Sequence, residues 1–155
     1  MIIPVMIMNK KFLFSLVVAI GLGTFVGKYF YDETNAKSVF KEEEVIFLQQ
    51  GVYTDKVNME ENTKRIDPKV VVKEKDKYYV YVGITKKKEN AKKIKDIYEQ
   101  LGYDIYEKNQ PISSTEFQNN LEQFDLLLEK TKKEEEIQTI NEVILANYEQ
   151  SLQKS

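Results

Sequence analysis

The stretch KVVVKEKDKYYVYVGI, residues 69–84, decides the fold. Its two ends are rich in β-branched and aromatic residues, and the charged segment KEKDK between them is typical of a hairpin turn. In the second half the residues alternate, so that Val80, Val82 and Ile84 share one face of a strand while Tyr79 and Tyr81 share the other. The stretch therefore predicts two antiparallel strands joined by a tight turn.

Each side of this hairpin carries a strand and a helix. VIFLQQGVY, residues 45–53, is typical of a strand, and Thr54 and Asp55 can cap a helix that carries Met59, Thr63 and Ile66 at helical spacing. A second helix is predicted from about Lys87 to Leu101, with Gly102 just beyond its end. YDIYE, residues 103–107, is the last predicted strand.

The predicted order is β-α-β-β-α-β, an α+β fold with a four-stranded antiparallel sheet. Both helices are expected on one face of this sheet, and the other face is expected to be open.

Two motifs within this order resemble those of a known family. LQQGVY, residues 48–53, is followed by Asn58-Met59, and YYVYVG, residues 78–83, is followed by Asn90-Ala91 and closed by LGYDIY, residues 101–106. These segments resemble the two half-repeats of the SPOR (sporulation-related repeat) domain, in which Gln49, Gly51 and Tyr53 fall on the positions of the first-strand motif. The resemblance implies the ferredoxin-like SPOR fold over residues 45–108. It also implies binding to peptidoglycan glycan strands, with a link to cell division or sporulation.

Strand alternation predicts which residues would meet such a glycan. If the valines of the third strand pack on the helices, Tyr79, Tyr81 and Gly83 face outward. The same logic exposes Phe47, Gln49, Gly51 and Tyr53 in the first strand. Aromatic rings can stack on sugar C–H faces while Gln49 hydrogen-bonds to hydroxyl or acetamide groups, and the two glycines keep the sheet surface low. An alternative is that the linker or the C-terminal segment covers one or more of these rings.

A hydrophobic segment near the N-terminus is predicted to anchor the chain in a membrane. FLFSLVVAIGLGTFVG, residues 12–27, is uncharged, and its extension to Tyr31 reaches the length that spans a bilayer. Lys10 and Lys11 precede it, whereas Asp32 and Glu33 follow, so the N-terminus is expected in the cytoplasm and the module outside. A cleaved signal peptide is disfavoured because bulky aromatic residues occupy the place of a small-residue cleavage site. The expected organisation is a cytoplasmic N-terminus (1–11), a transmembrane anchor (12–31), a linker (32–44), a SPOR-like domain (45–108) and a C-terminal helical segment (109–155).

The C-terminal segment is acidic and amphipathic. Residues 109–155 carry 4 Lys and Arg against 9 Asp and Glu, whereas residues 1–108 carry 19 against 16. Phe117, Leu121, Phe124 and Leu128 form one apolar stripe, which resumes from Ile137 to Tyr148. Two helices are predicted, and they can either dock on the module or recruit a division or sporulation protein through residues 112–152.

Composition excludes several function classes. The chain has no Cys and no His, so thiolate and imidazole chemistry is unavailable and no zinc site is expected. No catalytic constellation, metal site or cofactor motif is found, and the chain is expected not to be an enzyme. RNA-recognition domains share the predicted strand order, but the module lacks their Lys/Arg-Gly-Phe/Tyr signature, and no nucleic-acid partner is expected.

Overall fold

The computed structural model describes residues 43–154, which form an α+β fold with one four-stranded antiparallel sheet. The strands lie in the order β2-β3-β1-β4. The elements in chain order are β1 (Glu43–Tyr53), α1 (Lys56–Thr63), β2 (Val70–Glu74), β3 (Lys77–Thr85), α2 (Lys88–Gln100), β4 (Tyr106–Ile112), α3 (Thr115–Lys130) and α4 (Glu134–Gln153). The predicted β-α-β-β-α-β order and the antiparallel sheet are confirmed.

The predicted cytoplasmic N-terminus, the predicted anchor at residues 12–31 and most of the predicted linker lie outside the described residues. Among residues 43–154, none of the helices has the length and apolar character that crossing a bilayer requires.

Local signals set the ends of the first elements. The Asp55 side chain caps α1 by accepting hydrogen bonds from the backbone N–H groups of Val57 (3.2 Å) and Asn58 (3.3 Å). The hairpin between β2 and β3 turns at Lys75, which has a φ of 54°. Gly102 follows α2 with a φ of 91°, a backbone conformation that glycine adopts without steric cost.

The last strand is displaced from its predicted position. It covers Tyr106–Ile112 rather than residues 103–107. Tyr103 lies in the turn that follows α2, where its N–H donates to the Tyr98 carbonyl oxygen (3.1 Å). Residue 108, the predicted end of the SPOR-like segment, therefore lies inside β4. Pro111 is tolerated in this strand because β4 is at the edge of the sheet.

Two β-bulges interrupt the pairing of β1 with β3. Leu48 pairs with Gly83 and Gln49 with Tyr81, so Val82 is an extra residue in β3. Gln49 pairs with Tyr81 and Gly51 with Val80, so Gln50 is an extra residue in β1. Each extra residue reverses the inward and outward alternation beyond it.

Helices cover both faces of the sheet at its centre. A Cβ atom added to Gly83 would lie 2.9 Å from Ile94 Cγ2 of α2 and 2.9 Å from Leu48 Cδ1, so α2 packs on the face to which Leu48 points. Phe47 points to the opposite face because neighbouring strand residues alternate, and there its ring meets that of Tyr148 in α4 at 5.3 Å. The prediction that this second face is open is therefore wrong where α4 covers it.

The apolar stripes of α3 and α4 belong to the core of the sheet. The predicted stripe residues of α3 are all buried, and they join residues of the sheet, α2 and α4 in one hydrophobic cluster: Phe117, Leu121, Phe124 and Leu128. In α4, Ile137, Ile140 and Ile144 are buried in the same cluster, and Tyr148 packs against it. The prediction of two amphipathic helices is confirmed, and they dock on the module.

A buried carboxylate connects α3 to the end of β3 and the start of α2. Asp125 is 1% exposed and accepts hydrogen bonds from the Thr85 hydroxyl, from the Lys86 N–H (2.8 Å) and from the Asn90 side-chain amide (2.9 Å). The first residues of α2 have no side-chain cap of their own. Asp125 thus places a negative charge near the positive end of the α2 dipole from a distant part of the chain.

The lysines at the start of α2 hold the C-terminal end of α3. Lys87 pairs with Glu129 (2.5 Å), and Lys86 pairs with Glu43 (2.5 Å) and Glu122 (3.1 Å). Lys93 Nζ donates to the carbonyl oxygens of Leu128, Glu129 and Thr131, the end of a helix that favours a cation. This lysine cluster therefore serves docking between helices.

Replacing Asp125 with alanine is expected to destabilise the protein by about 2–4 kcal/mol, because two buried side-chain donors and one partly buried backbone donor lose a carboxylate acceptor at once. Urea unfolding of the full-length protein measures this difference. The control is Asp96→Ala, which removes an exposed α2 carboxylate paired with Lys92 and is expected to cost no more than about 0.5 kcal/mol. Equal effects of the two substitutions would contradict the role of Asp125.

Candidate functional site

The bulges divide the predicted glycan-binding residues between the two faces of the sheet. Phe47, Gln49, Tyr79 and Tyr81 share one face, since Gln49 pairs with Tyr81 and the rings of Tyr79 and Tyr81 stack with centroids 6.4 Å apart. The other three predicted residues, Gly51, Tyr53 and Gly83, lie on the opposite face. The sequence predicted all seven on one face because simple alternation takes no account of a bulge.

Three residues of the first group are buried rather than exposed. The exposed fractions are 1% for Phe47, 3% for Tyr81 and 9% for Gln49. Phe47 contacts Tyr81 edge to face at 5.0 Å and Tyr148 at 5.3 Å, while Phe117 lies 5.3 Å from Tyr148. The prediction of exposure is wrong for these three residues. The Tyr148 ring of α4 packs on Phe47, and Phe117 of α3 packs on Tyr148, so the C-terminal segment covers part of this face, which is the alternative stated above.

Burial also changes the acid–base behaviour of this aromatic cluster. It raises the pKa of the Tyr81 phenol, whose oxygen accepts a hydrogen bond from Gln110 Nε2 (3.1 Å). It raises the pKa of Tyr148 to about 12. Both phenols are therefore neutral over the physiological pH range.

The second group, Gly51, Tyr53 and Gly83, lies on the face of the sheet against which α2 packs. Gly83 is buried and faces Ile94 and Leu48, so it cannot lie under a bound glycan at the surface. Gly51 is partly covered by the ring of Tyr53, whose atoms come within 3.0–3.2 Å of an added Cβ. The Tyr53 hydroxyl donates to Gln50 Oε1 (3.0 Å), which holds the ring over the bulge. These three residues support the sheet.

Part of the predicted glycan face is left uncovered by the helices. Tyr79 is half-buried and has Val52 and Val72 as its cross-strand neighbours. Tyr106 of β4 pairs with Gln49 on the same face and is 55% exposed, and Val52 is 42% exposed. We call Val52, Val72, Tyr79 and Tyr106 the open strip.

Only Tyr79 of the open strip was predicted from the sequence as a site residue. Tyr106 lies within the predicted last strand, but it was missed because its pairing with Gln49 depends on contacts between distant segments. The signal that could have found it is its aromatic ring in a strand next to β1. Val52 was not among the predicted site residues because alternation that exposes Phe47 and Gln49 ignores the bulge at Gln50.

The open strip is a shallow surface with two phenol rings and two aliphatic side chains. Tyrosines combine a flat apolar ring with a hydroxyl that both donates and accepts hydrogen bonds. The ring of Tyr81 stacks beside that of Tyr79 with an interplanar angle of 13° and restricts its orientation. Across residues 43–154, no group of three or more carboxylates is placed to hold a metal ion.

Comparison with known proteins finds a distant structural likeness. No protein-family model and no curated protein sequence matches the chain. Among solved structures, it is similar to the solution structure of the peptidoglycan binding domain of the B. subtilis cell wall lytic enzyme CwlC, with 18% identity and a TM-score of 0.40. The similarity covers 48% of this chain and 99% of that domain. The fold described above is established by strand pairing and does not depend on this distant likeness.

Gly83→Ala is expected to destabilise the protein by about 1–3 kcal/mol, because the new Cβ would overpack against Ile94 and Leu48 in the core. Gly51→Ala is the matched control, since the atoms nearest to its new Cβ would belong to the half-buried Tyr53 side chain rather than to the core. Thermal and urea unfolding of the two full-length variants distinguish the sites. A Gly83→Ala variant as stable as wild type would show that this glycine does not lie in a packed core.

Proposed function

We propose that this protein is a non-enzymatic component of the cell envelope that binds the glycan strands of peptidoglycan through the open strip. The observation that carries the proposal is the exposed ring of Tyr106 and the oriented ring of Tyr79 on one face of a β-α-β-β-α-β sheet. The order of motifs in β1, β3 and the segments after them, which resembles the SPOR domain, gives the ligand class.

The open strip suits an extended, mostly uncharged polymer. Sugar rings present C–H faces that stack on phenol rings, and their hydroxyl and acetamide groups can hydrogen-bond to the tyrosine hydroxyls. Val52 and Val72 supply apolar contact on either side of Tyr79. A shallow surface of this kind binds a chain along its length without enclosing a bond to be cleaved.

The proposed site differs from the set derived from the sequence. Tyr79 stays in it, and Gln49 lies at its border, next to Tyr106. Phe47 and Tyr81 are buried: Tyr81 stacks with Tyr79, and Phe47 packs against Tyr148 of α4. Gly51, Tyr53 and Gly83 lie outside the proposed site and have structural roles in the sheet.

The location of the protein is part of the proposal. A single transmembrane helix at residues 12–31, with the N-terminus in the cytoplasm, would hold the sheet on the side of the membrane where peptidoglycan lies. We further propose a role at the division septum or in sporulation, which rests on the resemblance of the motifs alone.

The alternative function, an adaptor that recruits a protein through residues 112–152, is less well supported. Its premise was that the apolar stripes of α3 and α4 are free to bind a partner. The residues of these stripes are instead packed against the sheet, α2 and each other.

Pelleting of the full-length protein, kept in nonionic detergent, with purified sacculi tests the proposal. Tyr79→Ala/Tyr106→Ala is expected to weaken binding about tenfold, since each lost ring contact contributes about 0.5–1.5 kcal/mol. Tyr79→Phe/Tyr106→Phe retains the rings and is expected to bind more tightly than the alanine variant.

The matched control is Val57→Ala/Leu101→Ala, which removes two apolar side chains that are 61% and 62% exposed and lie outside the open strip. This control should pellet like wild type. Failure of the wild-type protein to pellet would refute glycan binding, whereas equal pelleting of wild type and the alanine variant would refute the open strip as the site.

A further inference from the structure

A concave surface lies between α1 and the β2–β3 hairpin, on the face of the sheet opposite to the Phe47–Tyr148 contact. It is a groove of about 550 Å³. Its lining combines four lysines and one glutamate with a floor of less polar residues: Lys56, Met59, Glu60, Thr63, Lys64, Lys69, Val71, Lys73 and Tyr78. The open strip shares none of these residues.

The groove is strongly basic in a chain that is acidic as a whole. Its lining carries four positive charges against one negative charge, while the full chain has a net charge of −2. The carboxylates of the C-terminal segment that pair with the lysine cluster of α2 do not line this groove. A cluster of like charges attracts an anion because ligand binding relieves their mutual repulsion.

The four lysines are held in different ways. Lys69 Nζ donates to the carbonyl oxygens of Thr63 and Ile66, both at 3.0 Å, and so caps the end of α1. Lys56 forms a long ion pair with Glu60 (3.7 Å) and is still 65% exposed. Lys64 and Lys73 are exposed on opposite walls. These last two are therefore the side chains best placed to meet a ligand.

The floor of the groove adds an apolar and aromatic surface. Met59 is buried, and Val71 and Tyr78 are half-buried. Lys73 Nζ lies 5.5 Å from the centroid of the Tyr78 ring, within the range of a cation–π contact, which restricts this ammonium group to the groove. A ligand that fills the groove would therefore contact carbon surface below and ammonium groups at the rim.

Each wall of the groove is long enough for an extended ligand. Lys56 and Lys64 are eight residues apart along α1, which corresponds to about 12 Å at the rise of a helix. Lys69 directly precedes β2 and Lys73 lies within it, and their separation of four residues corresponds to about 13 Å at the rise of a strand. One small anion cannot reach both ends, whereas a chain with an anionic group on successive units can.

We propose that this groove binds an acidic carbohydrate chain, in which sugar or polyol units carry phosphate or carboxylate groups. The carbon backbone of such a chain would lie on Met59, Val71 and Tyr78, and its anionic groups would meet Lys64 and Lys73. This binding site is separate from the open strip and does not depend on glycan binding there.

Isothermal titration calorimetry of the full-length protein in nonionic detergent tests the proposal. The probes are an oligo(glycerol phosphate), an oligogalacturonate and an uncharged malto-oligosaccharide of similar length. At least one of the two acidic probes should bind, and the stronger of them identifies whether phosphate or carboxylate is preferred. Binding should weaken as salt is added, because exposed charges are screened.

Lys64→Gln/Lys73→Gln is expected to weaken binding of the acidic probe about thirtyfold, the effect of removing two lysines that face an anionic ligand. The matched control is Lys88→Gln/Lys132→Gln, two exposed lysines outside the groove, which should bind like wild type. Unfolding curves verify that both variants are folded.

Three results would overturn the proposal: no binding of either acidic probe, equal affinity of the two double variants, or equal affinity for the uncharged probe. Single-stranded DNA of matched charge serves as a further probe, and affinity for it equal to that for the acidic carbohydrate would overturn the assignment of ligand class. Sacculus pelleting by Lys64→Gln/Lys73→Gln should match wild type on peptidoglycan stripped of anionic polymers, which separates this site from the open strip.

Discussion

The contact between Tyr148 and Phe47 is the one on which the rest of the molecule depends. A half-covered sheet of four strands would expose Val45, Phe47, Tyr81 and Ile84, all of which are buried here. Burial of aromatic side chains is among the largest favourable contributions to folding, and the edge-to-face arrangement adds to it. Because α3 and α4 provide this cover, the C-terminal segment is a structural part of the sheet domain, and the surface left for a ligand is what these helices do not occupy.

Polar contacts determine where the two helices sit. Asp125 accepts three hydrogen bonds from residues about forty positions earlier in the chain, and Asn141 Nδ2 donates to the Val82 carbonyl oxygen (2.7 Å) where β2 no longer pairs with β3. The acidic C-terminal segment also faces the lysines of α2. The opposite charges of these two segments, visible in the sequence, are therefore complementary surfaces within one chain.

Much of the fold follows from local patterns, whereas the site depends on contacts between distant segments. The hairpin at residues 69–84, the cap at Asp55, the glycine after α2 and the apolar stripes of α3 and α4 each depend on neighbouring residues, and all were predictable. The bulges at Gln50 and Val82 arise from the fit of β1 to β3, so alternation alone placed Gly51, Tyr53 and Gly83 on the wrong face. The burial of Phe47, Gln49 and Tyr81 depends on where α4 packs. Apolar periodicity predicts which face of a helix is buried, but it does not predict the surface against which that face packs. Tyr79 was placed on the correct face because no bulge separates it from Tyr81 in β3.

The proposed mode of binding requires that α4 stays packed on Phe47 and that a glycan contacts only the open strip. The most direct measurement is the mapping of aromatic ring signals by NMR in the full-length protein as peptide-free glycan oligomers are added. We predict that the signals of Tyr79 and Tyr106 shift as the oligomer binds while those of Phe47 and Tyr148 do not. Binding that shifts the Phe47 and Tyr148 rings, and leaves Tyr106 unchanged, would contradict it.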